Sequence, residues 1–501
     1  MDPTAPHPSP PPGVPRAVVL LLAAGFVAYA VFLARYSASY AAGSDASGYF
    51  NSARLLGEGR FQAAPRVPLG IGHTDFGLMA FQPLGFIMDQ SAPQMAPTYP
   101  TGLPLHLLVA SGLAGWRHAA TLVNVLAALG TGLLLWSLAR RLGLTAFWAF
   151  TALALLWACP LWLFASLQPM SDALALLWSL AALYFALRSG EHWRWSLLAG
   201  VATSLAVLVR PTNALLAFPL LLALGGDFRR HLWLVLGGLP GGAFFCYYNW
   251  KVYGHPLASG YGNVWTSFEA AFVPHNLAHF ARWIPALLSP LVLAALAAPF
   301  VPATRRRELA VLGLWAGLLI GLYAFYYHSG ETWWYLRFIL PAFPVLILAA
   351  LAVIQQLERR ITAPRWSRIL GVAVLAFGLV WQVRAGRQLE VLTIPTGEAH
   401  YLDAANWARD HLPPDSAIFC MQVSGAFYFY TPFMLIRWDQ VVMARLPDLM
   451  GTLQREKRPV YAVLYEFESR DARERLGGRW KQVATVGNAT FWELEPAPAL
   501  P

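Results

Sequence analysis

Charge is scarce in this sequence. Asp, Glu, Lys and Arg make up only 12% of its 501 residues, where soluble domains carry about 25%. With 57% hydrophobic residues and a mean hydropathy of +0.48, that shortage excludes a water-soluble globular chain. Cysteine is scarcer still. The three present, Cys159, Cys246 and Cys420, are odd in number and widely spaced, which gives neither a disulfide framework nor a zinc motif. They read as small buried apolar side chains. No internal repeat of about 20–50 residues and no obvious inverted duplication is visible. Acids are fewer than bases, 26 against 36, for a net charge of +10. The positives fall in short clusters between apolar runs: Arg140 and Arg141, Arg229 and Arg230, Arg305 to Arg307, and Arg359 and Arg360 with Arg365 and Arg368. Clusters of that kind mark the cytoplasmic loops of membrane proteins. They argue against nucleic acid as a partner.

What remains is long apolar runs, and the arginines orient them. Residues 1–16 are proline-rich and read as a disordered cytoplasmic tail. The run at 17–35 is longer than a signal-peptide core, and is expected to be an uncleaved anchor running outward. A long outer loop, 36–118, includes a short apolar stretch from Gly102 to Gly115 that should lie in the outer interface. Further spans are expected at 119–139, 145–164 and 170–187. The next block, 197–224, is broken by Arg210-Pro211. A single crossing there would send Arg229, Arg230 and every later cluster outside. Two short helices with Arg210 at the outer turn keep them all inside. Spans at 232–249, 284–300, 309–327, 337–357 and 369–385 complete about 11 crossings.

The fold class is thus a polytopic α-helical membrane protein, with the membrane domain over 17–390. Residues 391–501 form a small C-terminal α/β domain outside the membrane, helical near 399–411 and 440–455 and with strands at 417–421, 460–465 and 490–494.

This topology gathers the polar side chains on the outer face. Asp45 lies about ten residues beyond the first span, a place where ionisable groups are costly and usually functional. Tyr99, Asp172, Arg210, Lys251, His255, Tyr261, His328, Glu331 and Arg337 share that side, as does Asp75. Ordinary roles compete for several of them. Asp45 and Asp172 sit where helix caps sit, Arg210 adjoins a proline turn, and Arg337 and Lys251 have the length to snorkel. His73 and Asp75 are two apart in a loop and are not read as a metal site.

Several local patterns, in order, resemble the GT-C superfamily of membrane glycosyltransferases, near its protein O-mannosyltransferase and aminoarabinose-transferase branch. They are GSDASGYFNSARLLGEG (43–59), YPTGLPL (99–105), QPMSDALA (168–175), LVRPTN (208–213), NWKVYGHPLASGY (249–261) and YLRFILPAFP (335–344). Thr101 stands where the family often has a second proline, and Ala46 where a second acid would adjoin the first. The resemblance implies a polyprenyl-phosphate-linked sugar donor, a lipid, glycan or protein acceptor, and an inner, cytoplasmic membrane with the site facing the periplasm. It implies Asp45 as the general base of an inverting transfer, with Arg210, Arg337 and Lys251 on the donor phosphate. Tyr99, Asp172, His255, Tyr261, His328 and Glu331 are then substrate-binding candidates. No cofactor is required and no metal ligands are assigned, although a divalent cation is compatible with the chemistry. The alternatives from other classes are a transporter of an envelope precursor and a non-catalytic envelope-assembly scaffold.

Overall fold

Apolar runs of this length become helices because a helix satisfies every backbone N–H and C=O within its own segment. The computed structural model describes residues 16–88, 93–300 and 305–495, so the expected tail lies, but for Arg16, outside the described residues. Helix α1 (Arg16–Tyr36) is followed by α2 (Asp45–Gly57), a two-stranded ribbon of β1 (Phe86–Met88) and β2 (Met95–Pro97), and α3 (Gly102–Ala114). Next come α4 (Ala119–Arg141), α5 (Ala146–Ala158), α6 (Pro160–Ser166), α7 (Ser171–Leu187) and α8 (Trp193–Val209). A 3-10 segment, Pro211–Leu216, leads into α9 (Ala217–Leu224) and α10 (Phe228–Tyr253). Helices α11 (Val273–Leu288), α12 (Arg306–Ala324), α13 (Phe343–Glu358) and α14 (Pro364–Gln388) complete the apolar part.

Fewer of these helices than expected are full-length spans. Among the described residues five are long and apolar enough to cross a membrane, or up to seven if each of two bent pairs is one span. The expectation of about 11 took every apolar run as a crossing. Several of those runs are short helices of 10–17 residues, such as Ser171–Leu187 and Trp193–Val209. The run at 284–300 is not one rod either. Ser289 adopts φ 73° ahead of Pro290, and the chain bends by 109° into a 3-10 segment.

The arginine clusters do share one end of the bundle. Arg141 pairs with Glu191 at 2.8 Å and donates to the Leu187 carbonyl, tying the end of α4 to the end of α7. Arg307, at the start of α12, donates to the carbonyls of Leu222 and Ala223 at the end of α9. Trp148 of α5 donates to Glu358 at the end of α13, at 2.6 Å. The chain therefore reverses at Arg210, as the broken 197–224 block requires. Asp45, Asp172, Arg210 and Arg337 all lie at the opposite helix ends.

Beyond α14 the chain forms α15 (Ile394–His411), β3 (Ala417–Cys420), α16 (Ser424–Tyr430), β4 (Met434–Arg437), α17 (Leu446–Arg455), β5 (Val460–Tyr465), α18 (Glu466–Leu476), β6 (Trp480–Val486) and β7 (Ala489–Leu494). The sheet order is β4-β3-β5-β7-β6, with β4, β3 and β5 parallel and β7 antiparallel to both its neighbours. Its core is aromatic, with Phe419, Phe427, Phe433 and Phe491 fully buried.

This domain is bolted to the first outer loop through α16. Arg66 donates to the carbonyls of Thr431, Phe433 and Tyr428 while lying 4.3 Å over the Tyr428 ring. Arg54 donates to the Phe429 carbonyl at 2.6 Å, and Asn51 of α2 to that of Gly425 at 3.0 Å. Gly425 has to be glycine, because a methyl group there would overlap Ser47 of α2 and the Leu84 carbonyl. Arg66→Ala should weaken this docking by about 2–4 kcal/mol, since charged hydrogen bonds contribute about 1.5–3 kcal/mol each. Hydrogen exchange should rise at least tenfold across residues 424–433. An unchanged exchange pattern would show that α16 is held by other contacts.

Candidate functional site

Asp45 is the first residue of α2, yet its carboxylate does not cap that helix. One oxygen accepts the Tyr99 hydroxyl at 2.7 Å, and the other accepts Arg337 Nη2 at 3.0 Å. Ser44 Oγ is 2.8 Å from the same Tyr99 hydroxyl. The side chain stays 32% exposed, so a substrate can reach it. Tyr99 is placed by the turn before α3, and that turn is fixed from below. Gly102 packs so closely on the backbone of Val209 that any side chain would collide with it. The same contact seats the end of α8, where Arg210 stands in extended backbone.

Arg210 donates to Asp172 at 2.6 Å, and Asp172 is only 2% exposed. Its other arm donates to the backbone carbonyl of Arg337 at 3.3 Å. Both guanidinium groups lie over the Phe338 ring, at 5.5 and 5.4 Å. The cluster is therefore two acids and two arginines in two pairs, with no net charge. Arg337 is not saturated. Its Nη1 has only the Met170 sulfur at 3.4 Å, and its buried Nε has no partner among the described residues. Those two N–H groups are free to take an anion while Nη2 keeps Asp45.

Of the expected residues, Asp45, Tyr99, Asp172, Arg210 and Arg337 come together. Asp172 enters as the buried counter-ion of Arg210. Tyr261 stands edge-on to Tyr99 at 6.0 Å and is half exposed. His328 pairs with Glu331 at 2.6 Å and stacks on Tyr335, which lies 5.8 Å from the Arg337 guanidinium, so this pair forms the rim. Lys251 and His255 are not brought in. Lys251 lies on an exposed face of α10, 5.1 Å over the Trp250 ring, and His255 accepts the Leu257 amide in a local turn. Trp333 is buried against Phe164. Among the described residues no group of three or more His, Cys, Asp or Glu side chains is placed to hold a metal ion.

Sequence reasoning missed Glu398 of α15. Burial, and after it the charge of Asp45, push the Glu398 carboxyl up to about 7. More than 350 residues separate the two acids, so no motif spacing links them. Burial and the nearby Asp45 also hold the Tyr99 hydroxyl well above the usual phenol range, which keeps it a donor.

Because folded Glu398 holds its proton more tightly than the unfolded chain, its contribution favours the fold at low pH. That contribution is fully present below the ordinary value of 4.5 and is lost as pH rises to about 7. Thermal melts should lose stability across that window, and Glu398→Gln should flatten the loss. An identical slope in the variant would mean that Glu398 titrates normally.

With this geometry in hand, three likenesses locate the chain. The profile of the dolichyl-phosphate-mannose-protein mannosyltransferase family matches residues 117–246. No curated protein sequence matches the chain. ArnT from Cupriavidus metallidurans, solved bound to undecaprenyl phosphate, superposes with a TM-score of 0.58 at 16% identity, covering 98% of this chain and 100% of that one. Its apo state gives 0.59 at 16%, covering 95% and 98%. The arabinofuranosyltransferase AftD from Mycobacteria gives 0.59 at 13%, covering 97% of this chain and 40% of that longer one. The chain is a multi-pass membrane protein with the fold of the GT-C glycosyltransferase superfamily.

Proposed function

We propose that this chain transfers a sugar from a polyprenyl-phosphate-linked donor to an acceptor hydroxyl on the outer, periplasmic face of the inner membrane. The observation that carries this reading is the bridge Tyr99–Asp45–Arg337, an accessible carboxylate sharing a guanidinium that still has unfilled donors. The undecaprenyl phosphate bound to the similar ArnT supports the donor class.

The chemistry is a single inverting displacement. The acceptor oxygen attacks the anomeric carbon and Asp45 takes its proton, which needs hydrogen-bond reach and one carboxylate on the attacking side. The bond from that carbon to the phosphate oxygen breaks, and the lipid phosphate leaves with its electron pair. Arg337 offers Nε and Nη1 to the growing phosphate charge, and Arg210 adds a second cation behind it. Tyr99 keeps the carboxylate aimed. The donor's tail has an apolar groove of about 570 Å³ along α12, lined by Leu215, Gly313, Gly317, Gly321, Leu322 and Phe325. Its upper end adjoins Tyr323, which stacks on Phe338 beneath the two arginines. A transporter would place its charged groups on broken helices near mid-membrane; here they sit at helix ends.

Asp45→Asn keeps shape and hydrogen bonding but cannot take the proton, so transfer should fall by roughly 10²–10⁴ while donor binding persists. Activity within about threefold of wild type, in equally stable protein, would remove Asp45 from the mechanism. Arg337→Ala should weaken donor use at least tenfold, about 1.4 kcal/mol or more. An unchanged donor affinity would leave Arg337 as an anchor only. Reporter fusions at Pro395 and Glu308 should report opposite sides of the membrane, and the same side for both would sink the orientation.

A further inference from the structure

The C-terminal sheet has a reversal in its strand order. From β3 the chain goes through α16 to β4 on one side, then through α17 to β5 on the other. In open α/β sheets the crevice outside the carboxyl ends of strands at such a switch point is where ligands bind. Here those ends are Cys420 and Tyr465, and polar groups gather just beyond them. Gln422, just past β3, donates to the Tyr401 hydroxyl at 2.6 Å. Tyr401 and Tyr465 have ring centroids 5.3 Å apart. Tyr465 is 8% exposed, and its hydroxyl, fully shielded from solvent, faces the Tyr401 side chain. A phenol hydroxyl with one such neighbour keeps the capacity for a second hydrogen bond.

The crevice faces the membrane site. The Tyr401 hydroxyl is 3.8 Å from where a side chain on Gly43 would begin, two residues before Asp45. Glu398 precedes Tyr401 by three residues on α15, so it shares that face of the helix. It makes no hydrogen bond or ion pair among the described residues, and the Asp45 charge is felt there. Glu398, pushed up to about 7, is partly ionised at neutral pH, while the arginines around it are taken, Arg437 beside Cys420 by Asp439 and Arg337 by Asp45. A second anion is unwelcome between two carboxylates. A neutral polyhydroxylated group suits them, since each hydroxyl can donate to a carboxylate and accept from a phenol or an amide.

We propose that the switch-point crevice formed by Glu398, Tyr401, Gln422 and Tyr465 is the acceptor subsite, and that it takes a neutral polyhydroxylated headgroup, a sugar or other polyol. This rests on the glycosyl-transfer reading above and extends it to the acceptor. Glu398 and the Tyr465 hydroxyl hold the headgroup so that one of its hydroxyls points at Asp45.

The test uses the full chain, returned to cells of its source that lack it, with sugar-modified envelope material quantified and identified by mass spectrometry. Binding of undecaprenyl phosphate to each purified full-length variant is measured alongside. Glu398→Gln and Tyr465→Phe should each cut the modified product at least tenfold, with undecaprenyl-phosphate binding close to wild type and no lowering of the melting temperature. The product should carry its new sugar on a polyhydroxylated group. Product within twofold of wild type in the double variant, while Asp45→Asn makes none, overturns the crevice and leaves the transfer reading standing. Wild-type product from Asp45→Asn as well overturns both. Parallel loss of undecaprenyl-phosphate binding shows that these residues serve the donor, and a sugar found on a protein side chain or a phosphate excludes the polyol class; either result defeats the proposal.

Discussion

The ion pair between Asp45 and Arg337 is the constraint from which the outer site is built. A charge at a helix end, half removed from water, survives only with a partner, and removing one member of a buried pair costs about 3–5 kcal/mol. Asp45 is held by Arg337, and the Arg337 carbonyl is held by Arg210, which is held in turn by Asp172. Four segments distant in sequence are locked into one cluster by this chain of contacts. Its neutrality lets it persist without a bound ligand, and the unfilled N–H groups of Arg337 leave it able to receive one.

Everything nearby serves to keep that cluster in place. Gly102 lets the turn bearing Tyr99 rest on the end of α8, so the donor to Asp45 and the backbone of Arg210 are set by one contact. Arg54, Arg66 and Asn51 tie the first outer loop to α16, so the C-terminal sheet cannot swing away from α2. The membrane helices supply the charges, and the sheet domain supplies a polar roof.

Much of this was legible in the chain itself. Arginine clusters placed the loops at one end and the acids at the other, and they required the reversal at Arg210 that the bundle contains. Strands 417–421 and 460–465 stood out by β-branched and aromatic content and match β3 and β5 closely. Hydropathy registered the apolar runs without registering the bend at Ser289 or the shortness of α7 and α8. Lys251 and His255 sat in a motif-like stretch, but a polar residue near a helix end faces whichever way the helix is rotated, and that is set by packing.

The sequence by itself determined that this is a membrane protein, which end of it is basic, and which residue types crowd the other end. Those follow from local chemistry, since transfer into a bilayer is scored residue by residue. Only the tertiary structure decided who pairs with whom. Asp172 could have capped its own helix and instead holds Arg210; Arg337 could have snorkelled and instead binds Asp45. Glu398 joins the site across more than 350 residues of chain. Such choices depend on the low dielectric and fixed distances that exist only once the helices and the sheet have packed.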